Sequence, residues 1–190
     1  MYYKNKKDYK NWINKTYPFI GCGAGESSGN YNATLGLEDV CISTYGLNSN
    51  YIYSTVIHEI AHTSHYWNIS KSTLKFFKLP ENFRNTYARG IENYFSKKRY
   101  GGIVRDDFTN VYTGIFDDLM DDASYYFAKD NGPKKYGEFV SGFSIIELEN
   151  SVFNSSSLDD MKQYLKKTYS PSAKRKYSEK YLDNLFEYWK

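Results

Sequence analysis

Histidine is scarce in this chain. Only three occur in 190 residues, and all of them, His58, His62 and His65, fall within one eight-residue stretch. Cysteine is scarcer still: Cys22 and Cys41 are the only two, which rules out a disulfide-dense scaffold and any zinc module ligated by four cysteines. They either form one disulfide in an oxidising compartment or remain two small unpaired residues, and their spacing fits no shared metal site with the histidines. No apolar run approaches the roughly 20 residues that a membrane-spanning helix requires, so no span is expected. The start, Met1-Tyr-Tyr-Lys-Asn-Lys-Lys, is polar and lacks the apolar segment of a signal peptide. A domain trimmed from a longer precursor reads the same way, so the sequence alone does not separate a cytosolic protein from a secreted one. The net charge is +3, with Lys and Arg spread along the chain, which gives no basis for a nucleic-acid-binding face.

Aromatic residues are abundant, at 19% with 21 tyrosines, against modest numbers of aliphatic side chains. The core is therefore expected to be rich in Tyr and Phe. A length of 190 residues suits a single domain, read as a sheet and motif-helix lobe over 1–68 and a helical lobe over 69–190.

The histidine stretch reads His58-Glu59-Ile-Ala-His62, an HExxH pattern. Residues four apart share one helix face, so two neutral imidazoles can converge on a zinc ion while Glu59 stands beside them as a base. The turn cluster Gly46-Leu-Asn-Ser-Asn50 offers N-caps for a helix over about 51–67. Before it, the glycine-dense stretch 21–29 lacks the Lys-Ser/Thr ending of a phosphate-binding loop and reads as a flexible loop. Residues 33–45 carry β-type side chains, Val40, Ile42, Thr44 and Tyr45 among them, and are expected to form one or two strands.

A second helix is expected from Pro80, at its first position, to Lys97-Lys-Arg99, ending before Gly101-Gly102, with Tyr87, Ile91, Tyr94 and Phe95 as its apolar face. A third is expected over 110–130, with Asp117, Asp118, Asp121 and Asp122 on a solvated flank. The C-terminal third reads as helical scaffold. Capping-box patterns stand at Ser144–Glu147 and Ser157–Asp160, and a last helix is expected from about 172 with Tyr177, Tyr181, Leu185 and Tyr188 inward.

A catalytic zinc site normally takes three protein ligands. A histidine six residues beyond the motif is excluded, because that position is Asn68. His65 lies about 10 Å along the helix from His58, too far to share one ion, and is expected to line the substrate or support a ligand. Spacing leaves Glu92, Glu81 and the aspartate cluster open as the third ligand.

His58-Glu-Ile-Ala-His62-Thr-Ser-His65-Tyr, Tyr87-Ala-Arg-Gly-Ile-Glu92, Tyr112-Thr-Gly-Ile-Phe-Asp-Asp-Leu119 and Gly142-Phe-Ser-Ile-Ile-Glu-Leu-Glu149 together resemble a group of zincin-type metallopeptidases found as secreted or lipid-anchored surface proteins of gut bacteria. The resemblance runs from about residue 20 to 165, and HExxH is its most specific part. It implies an α+β, predominantly helical, zincin-like fold, in which a small twisted sheet packs on the HExxH helix beside a helical C-terminal lobe. It also implies a gluzincin-type ligand set of His58, His62 and Glu92. Relatives in this group often carry glutamate where this chain has Asn85, which leaves Glu92 as the acid on that face.

The expected activity is hydrolysis of peptide bonds by a zinc-dependent metallopeptidase acting on a peptide or protein substrate. Glu59 would be the base, and Tyr112, which begins the third block of the resemblance, the oxyanion donor. The expected state is a monomer at the cell surface or secreted. Two rivals stand beside this reading: a non-catalytic binding or adhesion module that retains a zinc site, and a zinc hydrolase of a non-peptide amide.

Overall fold

The structure is a computed structural model that describes residues 28–32, 37–41, 48–69, 73–105, 108–120, 140–171 and 175–189. Side chains are described from residue 48 onward, except those of 73–75. Strands β1 (Ser28–Asn32) and β2 (Leu37–Cys41) pair antiparallel, Ser28 opposite Cys41. Seven helices follow among the described residues: α1 (Ser49–Ile69), α2 (Thr73–Lys78), α3 (Glu81–Tyr100), α4 (Ile115–Met120), α5 (Ile145–Phe153), α6 (Leu158–Thr168) and α7 (Glu179–Tyr188).

The expected α+β class is corrected. Among the described residues the architecture is helical, and the only β-structure beyond an isolated bridge is that two-stranded ribbon, with no twisted sheet packed as a layer on the motif helix. The reason is one of size. A ribbon of two five-residue strands is too small to form a layer of its own. Many of the described aromatic residues go instead into helix–helix contacts, and the described part of the fold is all-α.

Helix α1 starts where the turn cluster predicts. The Asn48 side chain accepts from the Tyr51 backbone N–H at 2.9 Å, satisfying one of the orphan donors of the first turn. Helix α3 begins one residue later than expected: Pro80 has extended backbone (φ −53°, ψ 138°) and stands at the N-cap, outside the helix. The helix closes at Gly101, whose left-handed φ of 75° lets its N–H reach the Lys97 carbonyl.

The expected helix over 110–130 is shorter at its start. The Thr109 hydroxyl accepts from the backbone N–H groups of Val111 and Tyr112, which holds a turn there and delays helical geometry until Ile115. Residues 121–130, with Asp121, Asp122, Ala123 and Tyr126, lie outside the described residues.

Ser144 and Glu147 form a reciprocal capping box at α5. Ser157 caps α6 in one direction only, accepting from the Asp160 N–H. The last helix runs over 179–188. It turns Leu182, Leu185 and Phe186 inward, joined by Trp189 just beyond it, and leaves Tyr188 exposed.

Helix α3 is the axis of the fold. Helix α1 packs along it, α4 and α5 pack against other parts of its surface, and α6 and α7 close the C-terminal side. Its residues 85–93 are all buried, well beyond the single apolar face that the sequence suggests, whereas Phe95 is exposed. Gly90 permits the α4 contact. A Cβ there would stand 2.3 Å from the Phe116 ring, so only glycine allows this approach.

Candidate functional site

His58, Glu59 and His62 lie in the middle of α1, where His58 and His62 face α3. The His58 and His62 rings have centroids 4.8 Å apart. Two imidazoles sharing one zinc at about 2.1 Å and a tetrahedral angle stand about 5 Å apart by centroid, so the pair fits as two donors to a single ion. His62 is also suited to the task by charge state. Burial, then the neighbouring His58, His65 and Arg84, hold its pKa well below the usual histidine value, against a hydrogen bond with the Asn85 side chain that raises it. The ring is therefore neutral, and its buried Nδ1 has no hydrogen-bond partner.

Glu92 does not stand beside the two histidines as a third open donor. Its carboxylate is fully buried and meets His58 through Nδ1, Nδ1 to Oε2 at 2.9 Å. The Ser54 hydroxyl donates to Oε1, Arg105 Nε donates to Oε1 at 2.6 Å, and the Arg105 Nη2 donates to Oε2. The Arg89 guanidinium lies 3.5 Å from Oε1. Burial pushes the Glu92 pKa up, but hydrogen bonds from His58 and Arg105 and the charges of Arg89 and Arg105 outweigh it and hold the group at about 2. An ionised carboxylate only accepts, so Nδ1 of His58 donates its proton to it. This is the arrangement in which a carboxylate orients a metal-binding histidine from behind.

Tyr112 lies near this group. Its ring centroid is 5.9 Å from that of His58, and the Arg89 guanidinium carbon lies 5.0 Å from the same tyrosine ring. Among the described residues no group of three His, Cys, Asp or Glu side chains is placed to hold a metal ion. His58 and His62 thus fit a zinc ion as a two-histidine half-site, and no third donor stands beside them among the described residues.

His65 is not at the site. It is fully buried in an aromatic cage, with ring centroids of Phe76, Phe83 and Tyr87 at 5.3, 5.5 and 5.1 Å. Neither of its nitrogens has a hydrogen-bond partner. Burial, with Arg84 nearby, lowers its pKa to about 3, so it serves as a neutral core ring. The expected substrate-lining or supporting role is corrected accordingly.

The solvated flank expected of the aspartates is corrected too. Asp117 is buried, accepting from the Asn93 amide at 2.7 Å and pairing with Lys97 at 2.7 Å. Asp118 accepts from the Trp189 indole at 3.0 Å, which ties the C-terminus to α4. Glu81 is exposed in the first turn of α3. Cys22 and the glycine-dense residues 21–27 lie outside the described residues, as does the Cys41 side chain.

Sequence reasoning missed Arg89, Arg105 and Ser54. An arginine in a loop 13 residues beyond Glu92 carries no local signal. The one available hint is Arg89-Gly-Ile-Glu92, which places opposite charges at i and i+3 on one helix face.

No family model, no curated protein and no solved structure matches this chain. The function is therefore argued from the site itself.

Proposed function

We propose that this protein is a zinc-dependent hydrolase of peptide bonds, built on His58, Glu59 and His62. The observation that carries this reading is the 2.9 Å contact between His58 Nδ1 and the ionised Glu92 carboxylate. It fixes the ring of the first motif histidine from its Nδ1 side, one helical turn from the neutral His62 ring. A purely structural helix has no need of that orientation.

His58 and His62 would hold the ion. Zinc, when bound, supplies Lewis acidity towards a carbonyl oxygen and an attacking water. Glu59, between the two histidines in sequence, would take a proton from an attacking water and pass it to the leaving amine. Glu92 fixes the His58 ring and is assigned here as its partner, not as a ligand. The Tyr112 hydroxyl is the oxyanion donor in this scheme, on the strength of its ring lying beside His58. The substrate is a peptide or protein, and the secreted or surface location implied by the resemblance belongs to the same proposal.

One observation favours a second reading. The Glu92 oxygens are taken by His58, Ser54 and Arg105, and no three-donor set occurs among the described residues. A non-catalytic binding module would also fit those facts.

The deciding experiment incubates zinc-loaded protein and its Glu59→Gln variant with a diverse peptide library, reads products by mass spectrometry, and measures zinc content in parallel. Cleavage by the parent that drops at least about 100-fold in the variant, with zinc content unchanged, supports the peptidase. Zinc-loaded protein that cuts nothing gives the binding module the better claim.

A further inference from the structure

Arg105 has no role in the chemistry proposed above, yet it makes the most extensive contact with Glu92. It lies in the segment that leaves α3 after the left-handed Gly101 and folds back over the helix it has just left. Its guanidinium reaches both Glu92 oxygens, Nε to Oε1 at 2.6 Å and Nη2 to Oε2. The fork is fixed from the far side by Tyr51 in the first turns of α1, whose ring centroid is 5.4 Å from the guanidinium carbon and whose side chain also bonds to it. A planar fork gripping both carboxylate oxygens allows one carboxylate orientation, which a point charge does not. That orientation is the one that presents Oε2 to His58 Nδ1.

We propose that Arg105 is the positioning residue of the histidine pair: held by Tyr51, it locks the Glu92 carboxylate in the rotation that fixes His58 as its Nδ1–H tautomer. It acts through Glu92 and touches neither the ion nor the substrate. The inference deepens the hydrolase reading and rests on it only for its consequence in zinc affinity.

The chain's three histidines make the test direct. The protein, labelled with 15N-histidine and free of metal, is compared with Arg105→Met and Arg105→Lys by long-range 1H–15N spectra, which report the tautomer of each ring. Zinc affinity is measured separately by competition with a chelator.

The parent is expected to show His58 as a single Nδ1–H tautomer. In Arg105→Met, the His58 nitrogens should move towards the averaged shifts of mixed tautomers while caged His65 stays in place, and zinc affinity should fall about 10- to 100-fold. Arg105→Lys keeps the charge without the fork and should recover only part of both. A folded Arg105→Met with an unmoved His58 tautomer overturns the proposal, as does a variant in which His58 and His65 shift together, which marks general loosening. Should Arg105→Met fail to fold, Arg105→Lys decides by the same comparison. A parent that binds no zinc counts against the hydrolase reading alone, because the tautomer is read without metal.

Discussion

Helix α3 and the C-terminal helices are buried by opposite means. Along α3 the buried side chains include Thr86, Arg89, Glu92 and Asn93, and three of them are held by partners on other segments: the Thr113 hydroxyl at 2.8 Å from that of Thr86, Asp117 on Asn93, and Arg105 on Glu92. In α5, α6 and α7 the buried surface is mainly Leu148, Val152, Met161, Leu165, Leu182, Leu185 and Phe186. The charge nearly buried there, Lys162, sits among Asp159, Asp183 and Glu187 at 3.4 to 3.9 Å, and all three acids reach solvent. An apolar core needs only matching volume, whereas a buried polar helix needs each group paired in one geometry. A fold that keeps polar groups along its central helix, where leucines would pack as well, holds the orientation of particular side chains there. Those side chains are the ones around His58.

The comparison can be broken first at Glu92. Glu92→Leu leaves Arg89 and Arg105 beside an apolar group and is expected to cost about 3–5 kcal/mol in chemical denaturation. Adding Arg105→Met to it should recover part of that loss, because the pair fails more gently than either partner alone. Leu165→Ala in α6, with a cost of about 2–5 kcal/mol set by cavity volume, should show no such coupling to Arg105.

A smaller effect is expected at Gly90. The added methyl of Gly90→Ala meets the Phe116 ring and should destabilise by about 1–3 kcal/mol, with α4 moved from α3. A melting temperature equal to the parent's would show that α4 is held less tightly than the 2.3 Å approach implies.

A further effect sharpens the contrast through pH. His65 has a folded pKa lowered to about 3, so between about 6.5 and 3 the unfolded chain binds the extra proton and stability falls as pH falls. The expected slope from this ring is up to about 1.4 kcal/mol per pH unit, and it should vanish in His65→Phe, whose ring fits the same aromatic cage. Glu92, also lowered, acts in a more acidic window: its contribution is full above the ordinary carboxylate range and is lost as pH falls towards 2. Urea titrations of parent and His65→Phe at pH 7 and pH 5 separate the two groups.

Much of the helical frame was legible before the structure. The Asn48 cap, the Gly101 stop and the Ser144–Glu147 box each act within four residues, so the chain announces them locally. The β-type residues around Val40 are legible in the same local way, whereas the sheet implied by the resemblance is not. They indicate strand character correctly for 37–41 but say nothing about how many strands gather into a layer, and among the described residues only two do. The apolar periodicity of α3 likewise picked out Tyr87 and Ile91 and could not foresee a helix buried also on its polar side, because that depends on what α1 and α4 bring to it.

By itself, then, the sequence determined the HExxH helix with its Asn48 cap and the helix that answers it with its stop at Gly101, because three- and four-residue spacings are properties of the chain. Tertiary structure alone decided what each polar group does. Glu92 faces the back of His58 across 34 residues, His65 lies in a cage of rings drawn from α2 and α3, and Arg105 folds back from a loop to grip a carboxylate. Those roles are set by hydrogen-bond geometry and burial between distant segments, and no local pattern encodes either.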